Sequence, residues 1–334
     1  MEIFRTLVIC VLATIWTTAC SDKGNAQAIS SSGDYEVTTE DLWCQRGSNR
    51  IYGVLYRPQN AGSQLPLVIM SHGFGGTHGN VRAYAQAVSR KGYLCYCPDF
   101  CGGGNSSRSD GKTTEMSIFT EREDLACIVS QLKALPEVDA SRIVLMGESQ
   151  GGMVSAITAS QMPDEISCLA LFYPAFCIAD DAKVRYPSLS DVPDVSSLWG
   201  MQLGRAYYEG LYDFDVYDEI GKYIKPVLLL HGDRDNIVDI SYSDRAASTY
   251  PQVEYHVLAG AGHGFSGNNQ TTATDYLIEW LSKHVSNTTA SVWQPRAEER
   301  YPLCYTLAGI PIVEGVSHLQ RGVYIVNGKK TIIQ

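Results

Sequence analysis

Positive charge is sparse in this chain: 26 lysines and arginines stand against 36 aspartates and glutamates, a formal net charge of −10. No basic stripe gathers along any segment, which argues against a nucleic-acid partner, since phosphate contacts carry that affinity. Long apolar runs are missing too. Leu7 to Trp16 is an apolar run near the N-terminus, about half of the ~20 residues a spanning helix needs. Ten cysteines and seven histidines are present, yet no zinc-type pair spacing comes with partner histidines. No internal repeat appears.

What is present is a globular composition. Hydrophobic residues make up 45% and charged residues 19% of 334 residues, enough for a large core. The first twenty residues read as an export leader: Arg5, the short apolar run, then Thr17-Thr18-Ala19-Cys20. Small residues before a cysteine fit a lipoprotein signal, with Cys20 acylated and tethering the protein to a membrane. Cleavage after Ala19 or Ala28 is the alternative, and either route exports the protein to the cell surface or beyond. Residues 21–40 are polar and read as a linker. Cys95 and Cys97 fall on one face of a strand by alternation. The cysteines read as small buried hydrophobes, with a bridge from Cys101 to another loop cysteine left open. No oligomeric state is specified.

The sharpest motif is Gly147-Glu148-Ser149-Gln150-Gly151, between the apolar run Arg142–Met146 and the helical pattern after Gly152. Strand, tight turn and helix would lift the Ser149 hydroxyl out of a sheet, and side chains at Gly147 or Gly151 would collide with neighbouring backbone. With 30 glycines in the chain, the pentapeptide is weak alone. Its companions strengthen it. Leu65–Met70 reads as a buried strand ending in His72-Gly73-Phe74-Gly75, a turn able to expose the Phe74 N–H. With the Gln150 N–H it would form an oxyanion hole. The strand Val227–Leu230 runs into His231-Gly232-Asp233-Arg234-Asp235; Asp235 is the expected carboxylate and Asp233 the alternative. After the strand Val253–Leu258, a glycine-rich loop carries His263. His72 and His231 read as supporting residues and His256 as structural.

The order Ser149, Asp235, His263 is that of α/β hydrolases, not of chymotrypsin-like or subtilisin-like proteases. Expected strands and helices alternate from residue 41 to 285, implying a mostly parallel sheet covered on both faces. Ligands then bind at the carboxyl ends of the strands. Between about 175 and 222 the alternation breaks in a stretch rich in Tyr, Phe and Trp. This reads as a small cap forming an apolar, aromatic-lined acyl pocket. The chemistry needs neither metal nor organic cofactor.

The segments Val68–Gly76, Gly147–Gly152 and His231–Asp235 resemble bacterial α/β hydrolases of the cinnamoyl (feruloyl) esterase type. The resemblance covers about residues 54–283. It implies Ser149, Asp235 and His263 as the triad, a lid at 175–222, and hydroxycinnamate esters, free or polysaccharide-linked, as substrates. Similar motifs occur in short-chain carboxylesterases and in serine peptidases of the prolyl-oligopeptidase type, which are the alternatives; a non-catalytic surface protein is disfavoured by the intact triad. Residues 286–334 form a separate tail, with two short strands expected around Asn327-Gly328. It resembles type IX secretion sorting tails; a small β extension packed on the hydrolase is the other reading.

Overall fold

The structure is a computed structural model that describes residues 34–285 and four short strands nearer the C-terminus. The expected leader, Cys20 and residues 21–33 lie outside the described residues. The described part opens with an antiparallel pair, Val37–Arg46 (β1) and Asn49–Pro58 (β2). The body follows: Leu65–Ser71 (β3), His78–Ser89 (α1), Leu94–Pro98 (β4), Ile118–Leu132 (α2), Val138–Glu148 (β5), Ser149–Gln161 (α3) and Cys168–Phe172 (β6). An insertion holds Ile178–Arg185 (α4), Val195–Leu198 (β7), Met201–Gly204 (β8) and Val216–Ile220 (α5). The body resumes with Val227–Gly232 (β9), Ser241–Thr249 (α6), Val253–Leu258 (β10) and Asn268–His284 (α7).

The main sheet has eight strands in the order β1-β2-β4-β3-β5-β6-β9-β10. Pairs from β4 onward are parallel, whereas β1–β2 and β2–β4 are antiparallel. The middle strands β3, β6 and β9 are buried at every position, the continuous apolar pattern of a sheet covered on both faces. One face packs Leu67, Ile69, Leu145 and Leu229 against α2 and α3; the other packs Val68, Met70, Met146 and Leu230 against α1 and α7. Capping boxes start α1 (Thr77 with Asn80) and α2 (Ser117 with Thr120), so each helix begins where its free N–H groups find acceptors.

One expectation needs correction, and one open alternative is decided. The linker does not reach residue 40, because β1 begins at Val37 and pairs with β2 through to Arg46. This edge strand is polar and mostly exposed, so it lacks the alternation that marks a half-buried strand; its partner creates it. No bridge involves Cys101: the seven cysteines among the described residues whose side chains are placed are free. Cys95 and Cys97 are fully buried on the same face of the sheet, and burial pushes both thiols up.

Near the C-terminus, Cys304–Thr306 (β11), Pro311–Ile312 (β12), Gly322–Val326 (β13) and Lys329–Ile333 (β14) form a second sheet, ordered β12-β11-β13-β14. The expected hairpin is its β13–β14 pair, with Val326 opposite Lys329. Among the described residues no helix is long and apolar enough to cross a membrane.

Candidate active site

Ser149 is the first residue of α3, directly after β5, and its φ is +52°. Few non-glycine residues hold that left-handed conformation, and it appears where surrounding structure forces it. The force comes from close packing. A Cβ on Gly147 would lie 2.2 Å from the Gly151 carbonyl oxygen, and one on Gly151 would lie 2.3 Å from that of His72. Strand and helix therefore approach only with glycine on both sides of the serine.

The loop after β10 brings His263 to the serine. His263 Nε2 lies 2.9 Å from Ser149 Oγ, and its Nδ1 lies 2.7 Å from Asp235 Oδ2. Asp235 follows β9, and its Oδ1 accepts the N–H groups of Ile237 and Val238 at 2.9 Å each. Burial opposes its charge, but hydrogen bonds from His231, His263 and those two N–H groups hold the carboxyl well below the usual carboxylate range. It is thus an anion, able to fix the histidine tautomer with Nδ1 protonated. Asp233, the alternative, turns elsewhere: its Oδ1 accepts the Gly260 N–H at 2.6 Å, joining the acid loop to the histidine loop. His231 is enclosed between Ser243 Oγ and the Val238 carbonyl, and His256 stacks on Tyr276.

Beside the serine stands the loop after β3. A Cβ on Gly73 would touch the Ser149 Cβ at 3.1 Å, so the loop backbone lies against the nucleophile. His72 braces it: Nδ1–H donates to the Gly73 carbonyl at 2.8 Å and Nε2 accepts the Phe100 N–H at 3.2 Å. Burial keeps this imidazole below the ordinary histidine value. The next amide, of Phe74, has no hydrogen-bond acceptor among the described residues. Gln150 lies in the first turn of α3, where N–H groups have no intrahelical acceptor. Both expected oxyanion donors therefore have free N–H groups beside Ser149.

Sequence reasoning passed over Glu148 and Tyr173. The Glu148 carboxylate accepts Tyr173 O–H at 2.8 Å. Burial raises this carboxyl, against hydrogen bonds from Tyr173 and the Gly73 N–H. The Tyr173 ring meets the His263 ring edge-on, centroids 4.8 Å apart. Glu148 thus ties the Phe74 loop to the wall of the histidine; its one sequence signal was a charge between Gly147 and Ser149, facing a buried sheet end.

Ser149 opens into a cavity of about 310 Å³ walled by Phe74, Leu198, Trp199, Tyr207 and Tyr208, with Asp181 and Arg185 from α4. Phe74 meets Trp199 and Tyr207 edge-on. Of the aromatics expected here, Tyr212, Phe214 and Tyr217 instead line a second cavity of about 250 Å³ behind the insertion. Among the described residues no group of three His, Cys, Asp or Glu side chains is arranged to hold a metal ion.

Sheet order, serine turn and loop placement define an α/β-hydrolase fold. A family model described as alpha/beta hydrolase fold matches residues 66–205. Quorum-quenching protein AidA of Acinetobacter baumannii (strain MDR-ZJ06) is 31% identical over 121 residues, so that the match spans 36% of each chain. The uncharacterized peptidase YtmA of Bacillus subtilis (strain 168) is 22% identical over 237 residues, 70% of this chain and 88% of that one. Among solved structures, Est1E from Butyrivibrio proteoclasticus with ferulic acid bound superimposes with a TM-score of 0.68 at 25% identity, covering 74% of this chain and 100% of that one. The chain thus has the α/β-hydrolase fold, and the proteins it is similar to include an esterase and a peptidase.

Proposed function

We propose that the protein is a serine esterase that cleaves carboxylic esters through an acyl-enzyme, with aryl esters of the hydroxycinnamoyl (feruloyl) type as its substrates. The observation that carries this reading is His263 bridging Asp235 and Ser149, the serine opening into a mostly apolar cavity. His263 Nε2 takes the Ser149 proton as Oγ attacks the acyl carbon, and the Phe74 and Gln150 N–H groups receive the oxyanion. The tetrahedral adduct collapses, the bond to the alcohol oxygen breaks, and His263 protonates the leaving alcohol. Water then attacks the acyl-enzyme by the same route and frees the acid.

The aromatic walls support a flat acyl group, as does the likeness to a structure holding ferulic acid. The match along most of YtmA supports a second reading, peptidase action on the same triad. Export through the leader, with or without a Cys20 anchor, belongs to the proposal, since polysaccharide-linked esters lie outside the cell. Initial rates on methyl ferulate, p-nitrophenyl acetate, p-nitrophenyl octanoate and an alanyl p-nitroanilide, each beside Ser149→Ala, test it. Ferulate should lead, with all turnover lost in the variant. Dominant anilide cleavage would move the enzyme to the peptidases, and fast acetate with little ferulate would leave a short-chain esterase.

A further inference from the structure

Gln150 meets the site with its backbone, yet its side chain is sealed beneath. The amide is tied at both ends: Nε2 donates to Glu121 Oε2 at 2.9 Å, and Oε1 accepts the Tyr207 O–H at 2.9 Å. Glu121 and Gln150 are each 1% exposed. Glu121 lies on the buried face of α2 with Leu125 and Ile128, where an apolar side chain would fill the space without burying a carboxyl. Its second oxygen has no hydrogen-bond partner among the described residues. Among the described residues the one hydrogen bond of this buried carboxyl is thus to the Gln150 amide.

We propose that Glu121 is a positioning residue for the oxyanion donor at Gln150, holding that residue from beneath through its side-chain amide while Tyr207 holds it from the acyl cavity. A residue fixed at both amide ends cannot tilt, so its backbone N–H keeps one direction as the oxyanion forms. The inference rests on the serine-hydrolase reading above. Protonation adds a consequence. Burial pushes the Glu121 carboxyl up to about 8, with the Gln150 hydrogen bond opposing and Asp124 reinforcing. The titratable groups facing it are Asp124 on its own helix, itself paired with Arg46, and Tyr207 from the insertion. Neutral, Glu121 leaves the oxyanion unopposed; ionised, it sets a buried negative charge behind it.

The test compares wild type, Glu121→Ala, Glu121→Gln and Ser149→Ala on p-nitrophenyl acetate across pH values from about 6 to 10, with folding checked by circular dichroism. Glu121→Ala should lower kcat about thirtyfold with KM within about twofold, the split of a misplaced transition-state donor. Glu121→Gln keeps a neutral acceptor, so kcat at neutral pH should stay within about threefold, while the wild-type fall in kcat above about pH 8 disappears. A folded Glu121→Ala protein with wild-type kcat overturns the proposal. If Glu121→Ala does not fold, a Glu121→Gln pH profile superimposable on wild type overturns it. Turnover surviving in Ser149→Ala rejects the serine-hydrolase reading instead, whatever the Glu121 variants do.

Discussion

The body and the insertion of this protein obey different rules. The middle body strands β3, β6 and β9 are continuous apolar runs buried on both faces, and the loops after β5, β9 and β10 deliver Ser149, Asp235 and His263. The insertion between β6 and β9 is built of short pieces: an eight-residue helix, two four-residue strands and a five-residue helix. It buries Leu203 and Leu211 yet leaves Trp199 71% exposed. The body sets the chemistry with rigid backbone; the insertion sets the cavity wall with side chains. Changes in the first should abolish rate, and changes in the second should shift selectivity.

The largest effect belongs to the nucleophile. Ser149→Ala should remove roughly 10⁶ of kcat, as in comparable triads, with thermal unfolding unchanged. The two aspartates divide the next step. Asp235→Asn should lower kcat about 10⁴-fold by favouring the wrong histidine tautomer. Asp233→Asn, at a carboxylate that accepts the Gly260 N–H, should cost less than about tenfold. Equal losses at both would erase the distinction between them.

Gly151→Ala tests the backbone itself. A methyl group 2.3 Å from the His72 carbonyl oxygen should destabilise by about 3 kcal/mol or more, seen as a lower Tm. At the insertion, Trp199→Ala should leave Tm and p-nitrophenyl acetate kinetics nearly unchanged, since the side chain is mostly exposed, and raise KM for methyl ferulate about tenfold. Equal losses on both esters would mean the wall does not select.

The smallest effect is on stability. The folded Glu121 carboxyl titrates near 8 against an ordinary value of 4.5. Between those values the folded chain holds a proton that the unfolded chain releases, so stability falls as pH rises through that window. Glu121→Gln should therefore gain Tm over wild type progressively from about pH 5 to pH 8. A difference independent of pH would contradict this.

The sequence told more about the body than about the insertion, for the same physical reason. Buried parallel strands need unbroken apolar runs, and the serine turn tolerates only glycine at Gly147 and Gly151, so both leave marks in single letters. Asp235 was legible because it follows such a run, and His263 because it stands in a glycine-rich loop after the strand Val253–Leu258. The strand β1 was not: polar and exposed, it is made by its ten-residue register with β2. The insertion was visible as a break in alternation, but not which aromatics faced Ser149, because short elements carry no period. Glu121 was hidden, since its partner Gln150 lies 29 residues away along the chain, and Tyr207, which holds the other end of that amide, lies a further 57 residues on.

The proposed chemistry requires Ser149 to be an activated nucleophile. Intact-protein mass spectrometry after exposure to a fluorophosphonate reads this directly. Wild type should gain one phosphonyl group, mapped to the peptide holding Ser149, and Ser149→Ala should gain none. An unmodified wild-type protein, or the same adduct on Ser149→Ala, would contradict it.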